Sequence, residues 1–337
     1  MSGDTGEDGM TGVRRLGIVP AFDGVRGVAV LLTVAYHFRT LLDPWTTHYV
    51  RVAQPTPLAG SGFKFSQFQW VIALRPHPTR FFGSLVPSGG FLGVDFFFVL
   101  SGFLITALLL REQATHGRIN FGDFYRRRAL RLLPALFVFV AAQVIYALIA
   151  HLNFAAERDA IIAIVFYFWN WRIYFAHPVI HGVIARPGIA HLWSLSVEEQ
   201  FYLVWPLVVT LFFGLRRRAS SVITAMVGCI ALVALWRFVL ADRESLSLLY
   251  FRTDVRADEL IVGALAAYLW TRGIVPPKRV LAPLAWISLL FVTVCLFRLD
   301  PDDRFLFNGG FTAFAIAVAV MLLAVIEVGW LSRTLSL

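Results

Sequence analysis

Most ionisable residues of this chain stand inside apolar runs or at their mouths, where each needs a reason. His37 follows Arg26 by eleven residues in the stretch from Phe22-Asp23-Gly24 to Tyr36-His37-Phe38. In a helix the two fall within about 20° of one another and roughly 16 Å apart along the axis, so they share a face. An Arg or Asp in hydrocarbon costs about 2.5–3.5 kcal/mol on insertion scales, so a polar face there usually has a task. The plain alternative is an arginine that anchors the interface and a histidine bonded to a neighbouring helix.

Other groups repeat the choice. Asp95 is the only acid in Gly93-Val94-Asp95-Phe96-Phe97-Phe98-Val99-Leu100-Ser101-Gly102-Phe103-Leu104. It either pairs with a cation on another helix or helps to bind a substrate, and Ser101 and Gly102 permit close helix packing. Arg127, Arg128 and Arg131 open a later span at three- and four-residue spacings. Three guanidinium groups at a membrane boundary can bind anionic headgroups or a nucleotide's phosphates, or can anchor the span. Glu198 and Glu199 follow His191 at the mouth of another span. Adjacent helical residues point about 100° apart, so one carboxylate faces the bundle and the other the interface. The run Arg252-Thr253-Asp254-Val255-Arg256-Ala257-Asp258-Glu259 alternates in charge and can neutralise itself; it is either part of a site or, as the plain alternative, a solvated helix entrance.

The elements that position these groups follow from composition. Of the 337 residues 58% are hydrophobic and 15% charged, with 31 Phe and 10 Trp, and mean hydropathy is +0.71. Lipid must cover that much apolar surface, so the fold class is all-α, a polytopic transmembrane bundle of about eight or nine spans. The net charge of +9 sits in arginine clusters between apolar runs, a topology signal and not a nucleic-acid surface. Cys229 and Cys295 lie in separate apolar runs and read as buried, inert thiols; no metal site is expected.

A crossing needs about 20 apolar residues for ~30 Å of hydrocarbon. Spans are predicted near 24–42, 90–110, 132–150, 194–213, 221–240, 257–271, 280–297 and 308–329. Residues 1–20 read as a disordered cytoplasmic tail, without the apolar core of a signal peptide, and 21–337 as the membrane domain. Arg111, Arg118, Arg126, Arg127, Arg128 and Arg131 oppose only Glu112 and Asp123, which places their loop in the cytoplasm. If the ninth apolar segment, 159–175, re-enters without crossing, then Arg216, Arg217, Arg218, Arg272, Lys278, Arg279 and Arg333 also fall inside. Residues 43–89, with six prolines, then form the longest outer loop.

Taken together, these blocks resemble acyltransferase family 3, the integral membrane O-acyltransferases. The resemblance rests on Phe22-Asp23-Gly24 with Arg26 and His37 as an Arg-x10-His motif, Gly93 to Phe98 with Leu100 to Phe103, and Arg127-Arg128-x-x-Arg131-x-x-Pro134. Trp193-Ser194-Leu195-Ser196-Val197-Glu198-Glu199-Gln200-Phe201-Tyr202 and Thr253-Asp254-x-Arg256-x-Asp258 complete it, all in the family's order from residue 20 to about 270.

The resemblance implies transfer of an acyl group, most often acetyl, from cytoplasmic acetyl-CoA or another acyl-CoA to a hydroxyl of a cell-envelope carbohydrate or small glycosylated acceptor, in the inner membrane. His37 would be the general base, with Glu198 orienting it or the acceptor. Arg26, Arg127, Arg128 and Arg131 would hold the donor's phosphates. Asp95, Ser101, Glu199, Asp254, Arg256 and Asp258 would be substrate-facing or structural. The expected partners are the lipid bilayer, acyl-CoA and the carbohydrate, and no nucleic acid. The family's further C-terminal helix with Ser-Tyr-x-x-Tyr-Leu-x-His is not found before Leu337, so the domain is expected to lack its last helix. The rival classes are a transporter or flippase, whose proton path Asp95, His37 and Glu198 could equally line, and an inactive scaffold member.

Overall fold

A computed structural model describes residues 20–42, 47–50, 71–74, 87–149, 154–175, 187–212 and 218–328. Residues 1–19 of the tail expected over 1–20, most of loop 43–89, and Arg216, Arg217 and Arg333 lie outside the described residues.

Each of the eight apolar runs forms a helix. They are α1 (Pro20–Leu42), α2 (Gly93–His116), α3 (Phe121–Ile149), α7 (Leu192–Phe212), α8 (Ala219–Ala241), α10 (Ala257–Thr271), α11 (Lys278–Arg298) and α12 (Phe311–Glu327). Between them stand the short helices α4 (Phe154–Val165), α5 (Trp169–Phe175), α6 (Pro187–Ala190) and α9 (Leu246–Leu249). Strands β1 (Thr47–Val50) and β2 (Val71–Leu74) pair antiparallel. By length and composition six helical segments can cross a membrane: Ser88–His116, Phe121–Ile149, Leu192–Phe212, Ala219–Ala241, Lys278–Arg298 and Leu306–Glu327. Helix α10 has 15 residues, about 22 Å, and is buried along most of its length in the centre of the bundle.

Side-chain contacts fix the relative directions. Phe98 meets Trp193, Ser101 meets Glu198 and Thr106 meets Trp205, so α2 and α7 run parallel. Tyr125 bonds the Leu203 carbonyl, Arg128 pairs with Glu199 and Phe139 packs on His191, so α3 runs against α7. The segment between α3 and α7 therefore begins and ends on one side. Its apolar stretch is broken by a turn at Tyr167, whose φ is 54°, and the 12-residue α4 spans only about 18 Å. This matches the re-entrant reading of 159–175.

Helix α10 runs parallel to α2, as the Asp95–Arg256 and Phe103–Trp270 contacts require, and parallel to α12 through Asp258–Thr312 and Trp270–Glu327. Helices α1 and α8 run the opposite way. Direction thus alternates along the chain, and Arg111, Arg118, Arg126, Arg127, Arg218, Arg272, Lys278 and Arg279 gather at one end of the bundle, with Arg128 and Arg131 further in along α3. Helix α1 is shorter in effect than its 23 residues suggest: Phe22 packs on Phe103, midway along α2, and Tyr36 on Phe91. Arg26 accordingly lies beside the middle of α2.

Two glycines set the closest helix contact. A methyl group on Gly102 would run into the Leu260 carbonyl, and one on Gly263 into the Val99 carbonyl and, at 3.0 Å, the Phe103 nitrogen. Outward faces are apolar, as lipid contact requires: Val138 on α3, Leu232 on α8 and Leu290 on α11 are all more than 60% exposed. Cys295 is buried as expected, whereas Cys229 is exposed on α8; an apolar run looks alike in sequence whether protein or lipid surrounds it.

Gly263→Val is expected to force α2 and α10 apart at a cost of about 3 kcal/mol, the upper range for overpacking, read as a lower melting temperature in detergent. Gly228→Val, where nothing lies within 4 Å, should leave the melting temperature unchanged.

Candidate functional site

Two layers of polar residues occur inside the bundle. The first holds helices together. Arg256, fully buried, bonds Asp95 at 3.0 Å and lies 3.2 Å from Glu259, with its guanidinium 3.7 Å over the Phe311 ring. Arg237, equally buried, makes a two-pronged bond to Asp258 at 2.8 and 3.1 Å and also donates to Thr312 Oγ1 and the Val255 carbonyl, both at 2.6 Å. Thr312 donates in turn to Asp258. Asp95 is therefore a cation's partner, one of its two expected roles.

The Arg252–Glu259 run departs from the solvated-entrance alternative, since Arg256, Asp258 and Glu259 are fully buried. Their charges are met largely by other helices. Asp254 pairs with Arg252 at 2.7 Å and accepts from Trp236 at 2.9 Å. Burial opposes the Asp254 charge, but these bonds outweigh it and hold the carboxyl below its ordinary pKa.

The second layer lies between α1, α2, α3 and α7. Ser101 donates to Glu198 Oε1, and Tyr202 donates to the same oxygen at 3.0 Å. Glu199 points elsewhere, as its 100° offset requires, and accepts from Arg128 at 3.1 Å. The Arg128 guanidinium also lies 3.5 Å over the Tyr202 ring, and its buried Nε has no bonding partner. Arg128 and Arg26 are the cations that act on Glu198. Arg26 is itself paired with Asp23 at 3.1 Å and stays about one-third exposed. The structure thus brings together Arg26, Ser101, Arg128, Glu198 and Glu199, and adds Tyr202, which sequence reasoning quoted but did not assign.

His37 lies toward the other end of α1, exposed, with Nδ1 2.7 Å from the Thr33 carbonyl. A carbonyl oxygen only accepts, so Nδ1 carries the hydrogen and Nε2 is the atom that can take a proton. His191, on the turn before α7, packs edge-on against Phe139 with ring centroids 5.8 Å apart. The packing around it, and then the nearby His37, hold its pKa below the usual histidine value.

The remaining expected donor arginines diverge. Arg127 faces Glu112 at 3.4 Å, while Arg131 is exposed with no carboxylate partner among the described residues. No group of three His, Cys, Asp or Glu that could hold a metal ion occurs among the described residues. Arg237 was missed, although a lone arginine within the apolar run of α8 is itself a signal.

Arg128→Ala should leave the Glu199 carboxylate without its counter-ion. A loss of about 2–3 kcal/mol is expected, below the range for fully buried pairs because both side chains keep some exposure. The Arg128→Ala, Glu199→Gln double variant should regain most of it in a thermal-melt comparison.

Comparison with known proteins follows the same line. Residues 19–337 match the family described as an acyltransferase domain. The O-acetyltransferase OatA of Staphylococcus aureus (strain NCTC 8325 / PS 47) is 35% identical over 255 residues, covering 69% of this chain and 41% of the relative. The peptidoglycan O-acetyltransferase OatA of Listeria monocytogenes serovar 1/2a is 29% identical over 313 residues, covering 90% of this chain and 43% of the relative. The chain thus spans less than half the length of these curated relatives. No solved structure gives a significant match. With its motifs in order and its length matched from residue 19 onward, the chain belongs to the acyltransferase family 3.

Proposed function

We propose that this chain is a membrane O-acetyltransferase that moves acetyl from cytoplasmic acyl-CoA to a hydroxyl of a cell-envelope carbohydrate. The observation that carries the reading is the polar path along α1. Arg26, one helical turn from the Phe22 that packs on Phe103, lies at the level of mid-α2, as do Glu198 and Arg128, and His37, its Nε2 set as a proton acceptor, stands roughly 16 Å further toward the opposite end. The arginine-rich end is assigned to the cytoplasm of the inner membrane, with the N-terminus there, by the positive-inside rule.

A thioester donor entering from that end is held by its phosphates and reaches His37 through a narrow arm. The carbohydrate hydroxyl arrives from the other side. His37 Nε2 takes the hydroxyl proton as the oxygen attacks the thioester carbonyl. The C–S bond breaks, and the leaving CoA sulfur receives the proton from the imidazolium. Ser101, Glu198 and Tyr202 are positioning residues that shape the passage, with Arg128 held ready by Glu199. The Listeria relative's name carries peptidoglycan, which makes a peptidoglycan sugar hydroxyl the first acceptor to test.

Purified protein in nanodiscs, given labelled acetyl-CoA and a soluble peptidoglycan fragment, should form an acetyl ester. His37→Ala should bind acetyl-CoA normally and lose at least about a hundredfold in transfer rate. A His37→Ala protein with wild-type transfer would overturn the assignment of the base.

A further inference from the structure

Beyond the polar path lies a cavity of about 640 Å³ at the arginine-rich end, where α2 turns into α3. Arg111, Arg118 and Arg127 line it with His116, against Glu112 and Asp123. The two carboxylates are spoken for. Glu112 accepts from the Asn120 backbone N–H at 2.8 Å and faces Arg127, while Asp123 accepts from the Asn120 side chain at 2.6 Å and pairs with Arg126 at 2.9 Å. Arg111 and Arg118 are left without a carboxylate partner among the described residues. The wall therefore carries a surplus of two guanidinium groups, the donors that suit a phosphate dianion. Its volume falls in the range of small-molecule sites and far exceeds what one phosphate fills.

We propose that this cavity binds the 3′-phosphate and ribose end of the acyl-CoA donor, an inference that rests on the donor reading above. Lengths agree. About sixteen bonds separate the ribose 5′ oxygen of CoA from its sulfur, roughly 19 Å when extended at the spacing of a stretched chain. With the thioester at the level of His37, beside Phe91, the diphosphate comes level with Ser101 to Leu104, where Arg26 and Arg128 stand. From Phe91 to Leu108, which also lines the cavity, is about 25 Å along α2. The ribose and its 3′-phosphate bridge the difference. The cavity would thus select CoA by the group that distinguishes it from dephospho-CoA.

The test compares acetyl-CoA with acetyl-dephospho-CoA on the whole chain in phosphatidylcholine nanodiscs, by equilibrium binding. Wild type should prefer acetyl-CoA about tenfold, the value of one charge-assisted contact. Arg111→Gln with Arg118→Gln should erase the preference by weakening acetyl-CoA alone, and Arg118→Lys with Arg111 intact should keep most of it. Equal binding of both donors by wild type, or an unchanged preference in the double Gln variant, overturns the proposal and leaves the donor reading standing. Failure of wild type to bind either donor removes the donor reading itself, and this proposal with it. If the two arginines instead control retention of phosphatidylglycerol while donor preference is unchanged, the cavity is a lipid headgroup site and the proposal is overturned.

Discussion

A guanidinium surrounded by hydrocarbon must find a carboxylate and enough acceptors for its remaining hydrogens, or it cannot stay charged there. In this chain that requirement decides which helices meet. Arg256 joins α10 to α2 through Asp95, and Arg237 joins α8 to α10 through Asp258 and to α12 through Thr312. These are the helices that enclose the core, and the glycine contact at Gly102 and Gly263 brings α2 and α10 near enough for the Asp95 bond to form. Helices α1, α3 and α7 then pack around a centre that is already fixed.

Exposure separates the two layers. Arg237, Arg256, Asp95 and Asp258 pair across helices and are fully buried, so none presents an exposed atom to a substrate, although Asp95 Oδ2, Arg237 Nε and Arg256 Nη1 have no hydrogen-bond partner. The groups around α1 are differently placed. Arg26 keeps partial exposure, Arg131 is exposed, and His37 is exposed with its proton-accepting nitrogen determined by the Thr33 carbonyl.

The helices were legible because apolar run length is a direct requirement of the bilayer. Partners were harder to read. The alternation from Arg252 to Glu259 suggested neighbours neutralising neighbours in water, but Asp95, Arg237 and Phe311 come from distant sequence and bury the run. The depth of α1 was hidden for a related reason: a helix of 23 residues gives a length, while only the Phe22–Phe103 contact gives a level. Glu198 and Glu199 were separable in direction from the helical period, yet Ser101 as the partner of Glu198 was a matter of register between α2 and α7.

The claim that the polar path connects two sides is tested most directly by sidedness of transfer. Proteoliposomes of uniform, protease-mapped orientation would carry labelled acetyl-CoA on one side and a membrane-impermeant peptidoglycan fragment on the other. Acetyl ester should form only with the donor at the end bearing Arg111 to Arg127 and the acceptor opposite. Equal transfer in both arrangements, or transfer that requires donor and acceptor on the same side, would contradict the account.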